Sequence, residues 1–332
     1  MKRLAKILLV VLVLLGVAFL FLRTPDTDPA EMRGKYGTEP SRFVTLANGQ
    51  EIHLRDEGPE NGNQDAPAII LLHGSNADLS TWQPWAENLR ADYRVIRFDQ
   101  IGHGLTGAAF DGDYAGDRYV EAVDLVAQEL GLETFVLGGN SMGGGIAMRY
   151  ALRNPDRLAG LVLVDSGGAP VKREGGGNLA FTLARTPGVG PVLSAMLPRS
   201  LIERSLKQSV SRKEIVDDAM VDRYFDMARY PGNRAATRAR FAQQRQPFAA
   251  EEIAQADVPT LVMWGEEDAL TPYAAAGWFM EHLPDATLAN YPGIGHLPQE
   301  EAPERSVADL RAWLQAVAAK DTTEDTAEEA AE

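Results

Sequence analysis

Gly139-Asn140-Ser141-Met142-Gly143 is a G-x-S-x-G pentapeptide set between two different local patterns. The run before it, Thr134-Phe135-Val136-Leu137-Gly138, is short and apolar, as a buried strand requires, and the run from Gly144 to Leu152 reads as a helix. A chain that passes from strand to helix within so few residues must turn sharply. Such a turn needs small flanking residues, because strand and helix come too close for larger side chains. It also pushes the serine hydroxyl out of the sheet, in front of helix-start N–H groups that favour negative charge. Ser141 is therefore a candidate nucleophile; the alternative is a glycine-rich turn that merely contains serine.

The rest of the chain alternates. Phe43–Ala47 and Glu51–Arg55 flank Asn48-Gly49, a hairpin signal. Strands are then expected near 68–72, 93–99, 134–138, 159–165, 260–264 and 286–291, with helices near 80–90, 118–131, 142–153, 273–283 and 303–318. Continuous apolar runs such as Leu161-Val162-Leu163-Val164 suit strands covered on both faces. The alternation predicts an α/β fold with a doubly wound, mostly parallel sheet. It breaks between Val171 and about Arg245, where helix-like runs at 199–208 and 212–230 follow an opening Gly175-Gly176-Gly177. This predicts a helical cap over 171–245, inserted into a core of 41–170 and 246–318.

Four further motifs follow the order of the strands. His73-Gly74-Ser75 ends the apolar run 68–72, and Asp99-Gln100-Ile101-Gly102-His103-Gly104 ends the next. Gly265-Glu266-Glu267-Asp268 follows Thr260-Leu261-Val262-Met263, and Gly293-Ile294-Gly295-His296 precedes the final helix. Together with the pentapeptide this set resembles the α/β-hydrolase superfamily over roughly residues 43–317. The resemblance implies a nucleophile elbow of Gly139, Asn140 and Gly143 around Ser141, with His296 as base and Asp268 as the acid that orients it. It implies an oxyanion hole from the backbone amides of Ser75 and Met142. Glu266 and Glu267 are read as solvated loop charges. His73, Asp99 and His103 are read as structural supports of the loops, and His53 and His282 as residues without a role in the site.

Composition narrows the partners. The net charge of −15 argues against nucleic acid. No cysteine is present, so thiolate chemistry and Cys-ligated metal are excluded. The serine machinery needs neither metal nor cofactor. The cap interval runs against the overall charge, with 14 Lys and Arg against 7 Asp and Glu. Either this basic surface attracts anionic substrates, or its arginines cover apolar surface and pair with the acidic core.

At the N-terminus, Lys2, Arg3 and Lys6 lead into an uncharged run from Ile7 to Leu22. Residues 1–23 are therefore expected to form a membrane anchor, spanning with residues 4–22 and holding the catalytic domain on the extracytoplasmic side. The alternative is a signal peptide cleaved after Gly16-Val17-Ala18 and a secreted domain. Residues 24–40, with Pro25, Pro29 and Pro40, read as a tether, and residues 319–332 as an acidic disordered tail.

The function expected from the sequence is a membrane-tethered serine hydrolase of carboxylic esters or lactones of small to medium size. The Gly-Asn-Ser-Met-Gly-Gly variant is also seen in hydrolases that cleave carbon–carbon bonds of ring-fission products, which is the alternative enzyme. The alternative from another class is a non-catalytic ligand-binding module on the same fold.

Overall fold

The computed structural model describes residues 2–63, 66–172, 186, 189–243 and 246–329. Eight strands form one sheet: β1 (Ser41–Thr45), β2 (Glu51–Glu57), β3 (Ala68–Leu72), β4 (Arg94–Phe98), β5 (Phe135–Asn140), β6 (Leu158–Val164), β7 (Thr260–Gly265) and β8 (Ala286–Tyr291). Their spatial order is β1-β2-β4-β3-β5-β6-β7-β8. The β1–β2 and β2–β4 pairs are antiparallel, and every later pair is parallel.

Alternation of side chains along the strands divides the core in two. Ile70 and Leu72 of β3 face one cluster with Val123, Ile146, Ala147 and Phe279. Ile69 and Leu71 face the other, with Trp82, Trp85, Leu310 and Trp313. Helices therefore cover both faces, as a central parallel sheet demands. All positions of β3, β5 and β7 are buried.

The helices, in chain order, are α1 (Lys2–Leu22), α2 (Pro29–Tyr36), α3 (Gln83–Leu89), α4 (Gly116–Glu129), α5 (Met142–Arg153), α6 (Val189–Ala195), α7 (Arg199–Ser209), α8 (Asp218–Ala228), α9 (Asn233–Ala242), α10 (Ala250–Ile253), α11 (Ala274–His282), α12 (Pro298–Glu301) and α13 (Pro303–Glu329). Between β6 and β7 the described residues form helices α6 to α10 and no strand. The expected single helix over 212–230 is broken. Asp217 instead caps α8 by accepting from the Met220 amide at 2.8 Å. The Gly175-Gly176-Gly177 entrance lies outside the described residues.

The expected membrane anchor is not supported. Among the described residues no helix is long and apolar enough to cross a membrane. Lys6 bounds the uncharged run. The charge-free part of α1 is Ile7–Leu22, only about 24 Å of helix, against about 30 Å of hydrocarbon. The extracytoplasmic placement of the catalytic domain rested on that span and is withdrawn with it.

Residues 24–40 are also not a free tether. Asp28 caps α2, Met32 is buried, and the segment is bonded to the inserted helices. The Thr24 amide donates to Ala195 O at 2.7 Å, the Thr27 amide donates to Arg229 O at 3.0 Å, and Lys35 and Tyr36 both donate to Asp226 Oδ2. The sequence expectation of a disordered tail is corrected too: the backbone of α13 is helical as far as Glu329. Ala, Glu and Lys carry good helix propensity and extend the preceding helix.

Candidate active site

Ser141 sits between β5 and α5 with φ 53° and ψ −112°, a conformation L-residues seldom adopt. Close packing enforces it. A Cβ at Gly139 would lie 2.3 Å from the Gly143 carbonyl, and one at Gly143 would lie 2.2 Å from Leu72 O. The turn is held on the sheet by the Ser141 amide donating to Val164 O at 3.0 Å and by the Gly167 amide donating to Ser141 O at 2.8 Å. Strained backbone of this kind persists where the surroundings over-determine it.

Asn140 is buried beneath this turn and donates through Nδ2 to Val164 O at 3.2 Å and to His296 O at 3.0 Å. It thus connects the elbow to the loop that carries the histidine. His296 is itself buried, with Nδ1 2.6 Å from Asp268 Oδ2. A proton on Nδ1 donated to this carboxylate leaves Nε2 as the basic nitrogen. The other Asp268 oxygen accepts from the amides of Leu270 at 2.6 Å and Thr271 at 3.0 Å, which fixes the carboxylate. Glu266 and Glu267 are exposed and bonded elsewhere, to Asn290 and to Ser211.

The loop after β3 closes against the elbow: a Cβ at Gly74 would stand 2.9 Å from Asn140 Oδ1 and 3.3 Å from Ser141 Cβ. His73 holds this loop. Its Nε2 accepts from the Gln100 amide at 3.0 Å, so Nδ1 carries the proton and donates to Gly74 O at 2.8 Å. Burial pushes His73 below its ordinary value and keeps it neutral. His103 stacks edge-on against it, 4.9 Å away, and is driven well down by burial, with Arg240 and His73 adding to the effect. His53 has more of a role than its position suggested. It is buried, donates through Nδ1 to Asp99 Oδ2 at 2.6 Å, and lies 2.9 Å from Ser41 Oγ. Burial would raise Asp99, but His53 and the Leu79 amide outweigh it and hold the carboxylate below its usual range. His282 lies on α11 with Nδ1 2.8 Å from Trp278 O.

Two side chains near the site lie outside the sequence motifs. Asp165, at the end of β6, is fully buried with φ 44° and accepts from the Gly265 amide at 3.1 Å. It forms a group with Asp268 and His296 in which one ligand atom from each residue lies within 4.8 Å of the others. Such a trio could ligate a metal ion. Here, however, His296 Nδ1 and Asp268 Oδ2 point at each other at hydrogen-bond distance. Burial, then the Asp268 carboxylate, push Asp165 well above the ordinary carboxylate range. The signal for it was an acid at the carboxyl end of a central parallel strand, where doubly wound sheets place their sites.

A carboxyl with a raised folded pKa stabilises the fold fully below its unfolded pKa and loses that contribution as pH rises through the folded one. Asp165→Asn lacks this slope. Its urea midpoint relative to the unsubstituted protein is expected to rise as pH increases above the ordinary carboxylate range. A flat or falling difference would show that the Asp165 pKa is not raised.

The second is Arg240 of α9, which is 2 % exposed. Its Nη1 donates to Ser75 Oγ at 3.0 Å and lies 3.2 Å from Met142 Sδ, and Nη2 donates to Thr237 Oγ1 at 3.0 Å. The two residues expected to supply the oxyanion amides are thus joined by one guanidinium from the inserted helices. The basic excess of that interval hinted at such a group but could not single it out.

Comparison with known proteins agrees with this architecture. The model of the alpha/beta hydrolase fold family matches residues 67–303. The chain is 30% identical to a 2-hydroxymuconate semialdehyde hydrolase of Pseudomonas putida, over 78% of this chain and 89% of that protein. It is 29% identical to a 2-hydroxy-6-oxo-6-phenylhexa-2,4-dienoate hydrolase of Burkholderia cepacia, over 79% and 91%. The solved structure of a thermophilic esterase from Thermogutta terrifontis superposes with a TM-score of 0.68 at 27% identity, over 83% of this chain and 98% of that one. With the sheet order, the elbow and the match over most of its length, this chain belongs to the α/β-hydrolase family and is a serine-dependent hydrolase.

Proposed function

We propose that the protein hydrolyses the carbon–carbon bond beside a ketone in carboxylate-bearing substrates of the 2-hydroxy-6-oxo-dienoate class. The observation that carries this reading is Arg240, a buried cation set against Ser75 and Met142 beside the nucleophile. A guanidinium there suits a substrate carboxylate, which it would hold by charge-assisted hydrogen bonds. The identity to two dienoate and semialdehyde hydrolases supports the same chemistry.

Ser141 would attack the ketone carbon while His296 Nε2 takes the hydroxyl proton and Asp268 stabilises the imidazolium. The amides of Ser75 and Met142 would stabilise the tetrahedral oxyanion. Its collapse breaks the carbon–carbon bond. The bond broken is that of the keto tautomer, formed first by moving the 2-hydroxyl proton to the carbon beside the ketone, so the released electron pair enters the conjugated 2-oxo-enoate and the resulting dienolate takes the proton from His296. Water then hydrolyses the acyl-enzyme at the same oxyanion site. A carbanion is a poor leaving group without such a conjugated sink, so recognition of the carboxylate end and bond cleavage are linked.

Ester hydrolysis is the second reading. It needs the same nucleophile, base and oxyanion donors but no anionic recognition, and the Thermogutta esterase supports it.

The test measures kcat/KM for 2-hydroxy-6-oxo-6-phenylhexa-2,4-dienoate and for a neutral p-nitrophenyl ester, with and without Arg240→Met. We expect the dienoate to be preferred and its kcat/KM to fall by about 10²-fold in the variant, as loss of a charged hydrogen bond implies. The ester should lose much less. Equal losses on both substrates would reduce Arg240 to a support for Ser75. An ester turned over with no dienoate cleavage would make the second reading the correct one.

A further inference from the structure

Glu301, at the end of α12, is fully buried five residues beyond His296. One carboxylate oxygen, Oε1, accepts from the amides of Gly295 at 3.0 Å and Leu297 at 3.4 Å, the two residues that flank His296. The other, Oε2, accepts from the amides of Ser211 at 2.7 Å and Arg212 at 2.9 Å, in the inserted segment just after α7. Two more bonds run alongside. The His296 amide donates to Ser209 O at 2.8 Å, and Arg212 Nη1 donates to the Glu301 carbonyl at 2.7 Å.

Only a carboxylate satisfies this arrangement. Four N–H donors converge on two oxygens, and an ionised carboxylate accepts at both while offering no proton of its own. A glutamine in the same place would aim its NH2 at one of the two donor pairs. An aspartate would be one methylene too short to reach both. Removing the acceptor would also strand buried N–H groups on each side.

We infer that Glu301 is the positioning residue for His296 and that it ties the base to the seating of the inserted helices. This rests on the reading of His296 as the base. Each oxygen of one rigid carboxylate serves a different segment, so displacement of residues 209–212 pulls on the loop that presents the imidazole. Gly295 lies at the same junction. A Cβ there would stand 2.8 Å from the Ser211 nitrogen, 2.9 Å from Ser209 O and 3.0 Å from Glu301 Oε1. Gly295→Ala therefore wedges the two segments apart and crowds Glu301 Oε1 while leaving the carboxylate itself in the chain. The base is competent only while the inserted segment is seated.

The test uses the full chain with Glu301→Gln, Glu301→Ala, Gly295→Ala and the combination Gly295→Ala/Glu301→Gln, beside His296→Ala. The readouts are the rate constant and the final extent of Ser141 labelling by a fluorophosphonate, and kcat and KM on a p-nitrophenyl ester. Misplacing a catalytic group by about 1 Å costs about 10²-fold, and that is the fall expected in the labelling rate constant and in kcat for each single variant. KM should stay within about threefold and labelling should still run to completion, because the serine and its pocket are intact. The combined variant should be little worse than either single one, since both break one junction.

A folded Glu301→Gln enzyme labelling within about threefold of the wild-type rate overturns the inference. So does a loss confined to the extent of labelling, which marks a purely structural role. Should Glu301→Ala not fold, Glu301→Gln and Gly295→Ala decide on the same criteria. Wild-type labelling by His296→Ala overturns the assignment of the base itself, and this inference with it.

Discussion

Ser141→Ala is expected to remove turnover, with kcat falling about 10⁶-fold as in other serine hydrolases deprived of the nucleophile. The fold should survive, because the substitution removes one oxygen from a half-buried side chain and leaves the backbone bonds of the elbow in place. The strained φ of 53° is dictated by neighbouring glycines and strands, not by the hydroxyl. The check combines kcat on the dienoate and the ester with fluorophosphonate labelling and a thermal melt. Retained turnover would remove Ser141 from the mechanism. Absence of turnover in the unsubstituted protein, with ligand binding unchanged by the substitution, would point to the binding-module alternative. The same variant therefore separates an enzyme from a receptor built on this fold.

Gly143→Ala is expected to be strongly destabilising. The added Cβ would meet Leu72 O at 2.2 Å, Leu72 C at 2.7 Å and His73 O at 2.8 Å. All three are backbone atoms of β3 and the loop after it, pinned by the parallel pairing of β3 with both neighbours and by His73. Neither side can yield cheaply, so a loss of about 3 kcal/mol is expected in denaturant unfolding. Because the displaced backbone leads into Gly74 and Ser75, residual folded enzyme should also show reduced kcat through a widened oxyanion site. Gly277→Ala is the control. It lies in α11 with nothing within 4 Å of the added methyl, and helix propensity favours alanine there by about 1 kcal/mol. A Gly143→Ala variant as stable as this control would show that the elbow relaxes.

The parts of the site that local sequence marks are those whose geometry is local. The elbow is readable because a strand, a serine and a helix within a few residues require glycines at defined positions. Asp268 and His296 are readable because each follows a strand in a short glycine-bearing loop. The structure brings their side chains to 2.6 Å. Asp165, Arg240 and Glu301 show no such mark. Asp165 bonds to Gly265, Arg240 to Ser75, and Glu301 to Ser211, each across a long separation in the chain. The N-terminal errors have the same origin. Apolar content suggested a span, but Lys6 bounds the uncharged run; prolines suggested a free tether, but Met32, Lys35 and Tyr36 find partners far along the chain.

The sequence by itself determined the order of strands and helices, the parallel sheet and the sharp turn at Ser141, because hydrophobic period and glycine spacing act over neighbouring residues. Only the tertiary structure decided what each acid does. Asp268 faces an imidazole, Asp165 is buried beside another carboxylate that pushes its pKa up, and Glu301 faces four backbone N–H groups. The three side chains are chemically alike or nearly so. Their ionisation and their bonding partners are set by burial and by groups brought from distant parts of the chain, which no spacing within the sequence encodes.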